Sequence, residues 1–104
     1  MTATQSPEVI VIGAGVIGLS IAWRVAQQGL RVLVLDRGDP GTGASFHAAG
    51  MLAPITEASY GEEALLRLNL ASARRYPAFI AELEAATGHR LASAAPGTLF
   101  VALD

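Results

Sequence analysis

The feature that most constrains this chain is Gly13-x-Gly15-x-x-Gly18, which follows the β-branched run Val9 to Ile12 without a gap. A short continuous apolar run bounded by glycine reads as a strand buried on both faces of a parallel sheet. Beyond the triplet, from about Gly15 to Gln28, the apolar residues Val16, Leu19, Ile21, Ala22, Val25 and Ala26 gather on one side of a helix. Gly29 is the expected left-handed stop. Arg31 to Asp36, RVLVLD, then reads as a second buried strand. Strand, helix and strand in so short a span predict a βαβ unit and an α/β class built on a parallel sheet.

Each glycine has a physical task in that setting. Gly13 permits the tight turn, Gly15 lets backbone approach a pyrophosphate, and Gly18 lets the helix lie against the strand. Val16 and Ile17 open the helix, whose free N–H groups and partial positive charge suit phosphates. Asp36, at the end of the second strand, is placed to accept hydrogen bonds from ribose hydroxyls and to repel a 2′-phosphate, which disfavours NADP. The pattern specifies an ADP group and leaves NAD and FAD unseparated. Taken apart from its context, the triplet could be a tight βα turn and Asp36 a solvated strand end.

The rest of the sequence narrows the classes. Seven basic against nine acidic side chains give a formal charge of -2, with no basic patch for nucleic acid or anionic membrane. The absence of cysteine removes disulfide and thiolate chemistry. His47 and His89 are too isolated to suggest a metal site. No basic residue precedes the apolar stretch from Val9 to Trp23 and glycines interrupt it, so it does not read as a secretory core; a cytoplasmic protein without a membrane span is expected. With 104 residues, one small domain is the natural size. The expected organisation is a flexible leader over 1–8 and an incomplete nucleotide-binding domain over 9–104, with a substrate domain starting near 98–104.

Residues 37–61 form a long Gly/Ala/Ser/Pro-rich connection, a length that marks functional loops. Gly61 to Thr87 is helical again, with Glu62 and Glu63 favouring the positive end. Pro77 is expected to split that helix by pushing Tyr76 out of the helical region. Gly88 stops it, Pro96 and Gly97 turn the chain, and Thr98 to Leu103 reads as a strand. Arg74 and Arg75 read as a solvated helix face, and His89 as a cation at a helix C-terminus.

The succession VIGAGVIGLS, LDRGDPGTGAS, AAGMLAP and RRYPAFIAELEAATGHRLASAAPGTLFVAL resembles the N-terminal part of the FAD-dependent amine and amino-acid oxidases of the D-amino-acid oxidase family. Within that family it is most similar to the glycine oxidases of thiamine biosynthesis. The resemblance covers nearly the whole chain from Val9 onward and implies a Rossmann-like FAD-binding domain, the partial N-terminal part of a two-domain flavin oxidoreductase. It implies roles by position: Val16 and Ile17 against the diphosphate, Asp36 and Arg37 at the adenosine end, Ala44 and Ser45 near the pyrophosphate, and Ala49, Gly50 and Met51 along the isoalloxazine ring. The family more often has glutamate where Asp36 stands.

The implied reaction is oxidation of glycine, sarcosine or a similar small amine, with oxygen as acceptor and hydrogen peroxide as a product. Catalytic residues and the arginines for a substrate carboxylate are expected downstream, so these 104 residues alone should be inactive; a homo-oligomeric full-length protein is left open. His47 departs from the glycine oxidases, which usually carry a small residue there. Dimethylglycine and sarcosine dehydrogenases resemble this stretch in a W-H-A-A-G whose histidine bonds covalently to flavin, against F-H-A-A-G here. Two readings of His47 follow, a covalent tether or a histidine that hydrogen-bonds loop backbone or phosphate, with non-covalent FAD the expectation. A nucleotide-binding module without chemistry is the third class of reading.

Overall fold

A computed structural model describes residues 6–99 and 101. The elements run β1 (Val9–Ile12), α1 (Val16–Ala26), β2 (Val32–Leu35), α2 (Ala44–His47) and α3 (Glu63–Thr87). Two compact units divide the chain, residues 1–50 and residues 51–104.

The first unit is the βαβ unit. β1 and β2 pair in parallel, with Val9 opposite Val32 and Ile12 opposite Leu35. The ladder extends one step past β1, where the Gly13 N–H donates to the Leu35 carbonyl at 2.7 Å. α1 packs on both strands. It covers the valine face, as the alternating burial of both strands shows. Ala14 and Ala22 are the buried apolar residues among those described, because only methyl-sized side chains fit where helix and strand approach so closely. Gly29 takes φ +83° after α1, the left-handed geometry a non-glycine residue resists. At the same end of the unit, Arg31 anchors the approach to β1: its guanidinium lies 3.5 Å from the Glu8 carboxylate, and its Nε donates to the Ser6 carbonyl.

The strands are not buried on both faces. Ile10, Ile12, Leu33 and Leu35 stand on the face away from α1, and Ile12 keeps 87% of its surface exposed. Among the described residues one helix packs on this two-stranded sheet, and Ile12, the most open of the four, forgoes most of the roughly 1.5–3 kcal/mol that full burial gives. The sequence pattern records that both faces are apolar; it does not record what covers them.

The long connection contains an element that periodicity did not reveal, the single turn α2. Too short to stabilise itself, it is held from outside, as described below.

In the second unit α3 is one continuous helix of 25 residues with Pro77 inside it, so the expected break at Tyr76 does not occur. Proline there removes one N–H and crowds the carbonyl four residues back, at about 3 kcal/mol. Good helix formers on both sides, Ala71, Ala73, Arg74 and Arg75 before and Ala78, Ala81, Glu82 and Leu83 after, offset that penalty, and Tyr76 stacks on Phe79 at 6.3 Å between ring centroids. Gly88 ends the helix at φ +70°, donating to the Glu84 carbonyl. The Glu84 carboxylate then accepts from the Leu91 N–H at 2.7 Å. Of the predicted strand Thr98–Leu103, residues 98, 99 and 101 carry no strand and the others lie outside the described residues. Among the described residues no helix is long and apolar enough to cross a membrane.

Candidate functional site

The glycine turn between β1 and α1 gathers side chains from two later segments. Gly13 has φ +105°, reachable without strain only by glycine. A Cβ on Gly18 would collide with the Gly13 carbonyl oxygen and stand 3.4 Å from Val11 Cγ1. A Cβ on Gly15 would stand 3.1 Å from Ser45 Oγ. The three glycines therefore do separate things: Gly13 turns the chain, Gly18 admits the helix to the strand, and Gly15 keeps the mouth of the turn free of side chain.

Asp36 follows β2 directly and faces the turn. Its Oδ2 accepts from the Ala14 N–H at 2.7 Å and its Oδ1 from the Gly38 N–H at 2.9 Å. The Ala14 N–H, then the Gly38 N–H, hold its carboxyl below the usual carboxylate range, with smaller help from Arg37 against a weak opposing desolvation. Ala14 is held from its other side too, since its carbonyl accepts from the Gly41 N–H at 2.9 Å.

Ser45, on α2, closes the arrangement. Its Oγ accepts from the Val16 N–H at 2.9 Å. The first N–H groups of a helix have no acceptor inside it, and Gly15, the N-cap residue of α1, has no side chain to supply one. Ser45 acts as that cap from 29 residues away. This contact, with Gly41 on Ala14, gives the connection a defined path over the turn.

Among the described residues the N–H groups of Gly15, Ile17 and Gly18 have no protein acceptor at this mouth. Unmet donors at the positive end of a helix form an anion site, and Gly15 adds no side chain there. The residues present thus fit the pyrophosphate of a dinucleotide such as FAD.

Of the residues singled out from sequence, the structure brings together Gly13, Gly15, Val16, Ile17, Gly18, Asp36 and Ser45. Ala44 opens α2 beside Ser45, and Arg37 follows Asp36 with its charge acting on that carboxylate. His47 ends α2, exposed, with its ring edge-on to Phe46 at 5.3 Å. Ala49 and Gly50 follow as exposed backbone, Gly50 at φ +74°. Met51 belongs to the second unit. There, with Leu52, Ala53, Pro54 and Glu57, it lines an open cavity of about 200 Å³ against Asn69, Ser72, Ala73 and Tyr76 of α3.

Ala14, Gly38 and Gly41 were not foreseen as part of the site. Only Gly41 carried a signal, lying with Asp39 and Pro40 in a turn-forming run; the other two act through backbone, which no side-chain pattern reports. The polar wall Asn69, Ser72 and Tyr76 was not foreseen: Tyr76 was expected only as the point where Pro77 splits the helix, and no motif marks the other two.

Residues 8–104 match the DAO family, described as FAD dependent oxidoreductase. Glycine oxidase of Geobacillus kaustophilus is 39% identical over 85 residues, which cover 82% of this chain and 22% of that protein. Its crystal structure superposes with a TM-score of 0.74, covering 79% of this chain and 22% of that one. The bifunctional protein ThiO/ThiG of Synechocystis sp. is 45% identical over 83 residues, 78% of this chain and 12% of that protein. The chain thus spans about a fifth or less of the length of these relatives.

Proposed function

The chain belongs to the DAO family of FAD dependent oxidoreductases, and from that membership we propose that the full-length protein oxidises glycine, sarcosine or a similar small amine. For glycine, the amine, oxygen and water give the 2-oxo acid, ammonia and hydrogen peroxide, a reaction that serves thiamine biosynthesis. The names of the relatives, glycine oxidase and ThiO, support this reading. Bound FAD would supply two-electron acceptance from the substrate α-carbon and return of both electrons to oxygen.

The observation that carries the proposal is the set of unmet Gly15, Ile17 and Gly18 N–H groups at the mouth of the glycine turn. In this segment the protein's task is binding and orientation. The α1 N-terminus would hold the diphosphate, Asp36 and Arg37 would meet the adenosine end, and Ala44 and Ser45 would approach the pyrophosphate. Ala49, Gly50 and Met51 would line the ring, where small residues let backbone approach. The FAD is held without a covalent bond. In this reading 9–104 is the opening part of the FAD-binding domain, and the residues that grip the substrate carboxylate lie elsewhere in the protein.

The test uses the full-length protein. FAD at a hundred times its dissociation constant should stabilise it by about 2.7 kcal/mol, NAD should not, and glycine or sarcosine should release peroxide and the 2-oxo acid. Stabilisation by NAD alone, or no peroxide with any small amine, would overturn the reading. Flavin fluorescence that stays with the polypeptide on a denaturing gel, and is lost on His47→Ala, would establish a tether and favour the dehydrogenase relatives.

A further inference from the structure

Asp36 was expected to meet the adenosine ribose, yet both of its oxygens are engaged by the protein's own backbone. We propose that Asp36 is a positioning residue for the phosphate site: its carboxylate is a strut that fixes the backbone of the glycine turn so that the Gly15, Ile17 and Gly18 N–H groups converge. The proposal rests on the reading that this turn holds the FAD diphosphate, and adds a role to a residue there assigned to the adenosine end.

Three observations carry it. The register ends with Ile12 against Leu35, and the Gly13 N–H takes the Leu35 carbonyl, so Ala14 is the first residue of the turn that the ladder does not hold. Asp36, next after Leu35, holds it, with Oδ2 at 2.7 Å from the Ala14 nitrogen. The other oxygen closes a turn on the Gly38 N–H two residues ahead, a bond suited to the single methylene of aspartate. Glutamate would carry its oxygens past that donor. The short side chain of aspartate is thus matched to bracing two backbone amides. Ala14 is also buried, with its carbonyl tied to Gly41. The two peptide planes that meet at Ala14 are thus each held, one through its N–H and the next through its carbonyl, and the Gly15 N–H, which shares the second plane, takes its direction from it.

A strut and a ribose ligand separate by ligand chemistry. Wild-type full-length protein, Asp36→Asn and Asp36→Glu are titrated with FAD, ADP, inorganic pyrophosphate, which has no ribose, and adenosine, which has no phosphate. D36N leaves one acceptor oxygen for two backbone donors. It should weaken pyrophosphate about fivefold or more and ADP by at least as much, since charge-assisted bonds to backbone amides are the strong ones. D36E keeps the charge and can reach a ribose, yet should not restore pyrophosphate binding. Amide exchange gives a second measure: the Ala14 N–H should be protected in ligand-free wild type and exposed in D36N. If D36N does not fold, the wild-type Ala14 and Gly38 amide signals should still titrate together in acid.

Unchanged pyrophosphate affinity in D36N with losses for ADP and adenosine would make Asp36 a ribose ligand only and overturn the proposal, as would an unprotected Ala14 amide in wild type or amide signals that do not follow one acid titration. Wild-type protein that binds neither FAD nor pyrophosphate overturns the flavin reading, and the strut's purpose with it. FAD binding that survives while D36N leaves pyrophosphate untouched overturns the strut alone.

Discussion

Replacing Gly18 by alanine sets two effects of opposite sign against each other. Gly18 lies in the first turn of α1, where alanine gains up to about 1 kcal/mol of helix propensity over glycine. Its Cβ, however, would overlap the Gly13 carbonyl oxygen, stand 3.0 Å from the Gly13 carbonyl carbon and 3.4 Å from Val11 Cγ1. The first two are backbone atoms of the tightest part of the turn and cannot swing aside as a side-chain end would. Overpacking costs about 1–3 kcal/mol, and a collision with fixed backbone belongs at the upper end. The balance is a loss of about 2 kcal/mol, or roughly 4–8 °C in melting temperature for a protein of about 150–250 residues and less for a longer one. Because relief requires α1 to slide away from the turn, FAD affinity should fall with stability. Thermal unfolding and FAD titration of full-length G18A against wild type make the measurement. Gly88→Ala is the control: it meets open space but sits at φ +70°, so it should lose about 1–2 kcal/mol without affecting FAD. A G18A protein that melts at or above the wild-type temperature and binds FAD normally would refute the claim that helix and turn touch at Gly18.

Further outcomes follow from single contacts. Ser45→Ala removes the hydroxyl that caps α1 through the Val16 N–H and should destabilise by about 0.5–2 kcal/mol, with Ser45→Thr retaining most of it; urea unfolding of the three proteins measures this. Pro77→Ala restores a donor inside α3 and should raise stability by up to about 3 kcal/mol, seen as a higher melting point in circular dichroism. Asp36 has a folded-state pKa below its ordinary value of 3.8, so its contribution is fully present above that value and is lost as pH falls through the folded one. Acid unfolding of D36N should accordingly lack a transition component that wild type shows below about pH 4.

How far the sequence could be read differs by element. β1, α1 and β2 were legible because apolar runs of four and a helical apolar stripe depend on local geometry. Gly29 and Gly88 were legible as stops for the same reason, each taking a left-handed φ. Pro77 misled because a one-residue rule was weighed without the 24 other residues of α3. α2 had no signal at all: four residues of ASFH have no period, and the turn forms around the bond from Val16 to Ser45.

The site shows the same division. Spacing alone placed Gly13, Gly15, Gly18 and Asp36 in one constellation, because the βαβ connection is short and its register is set by apolar runs. That determines a turn with a helix N-terminus behind it, and hence an anion site. Tertiary structure alone decided how the turn's donors are shared. The Ala14 N–H goes to Asp36, the Val16 N–H to Ser45, and the Gly15, Ile17 and Gly18 N–H groups stay open. Backbone donors are the same in every residue but proline, so a sequence can say where a turn is but not which amides a distant carboxylate or hydroxyl will reach. That depends on where the chain returns in space.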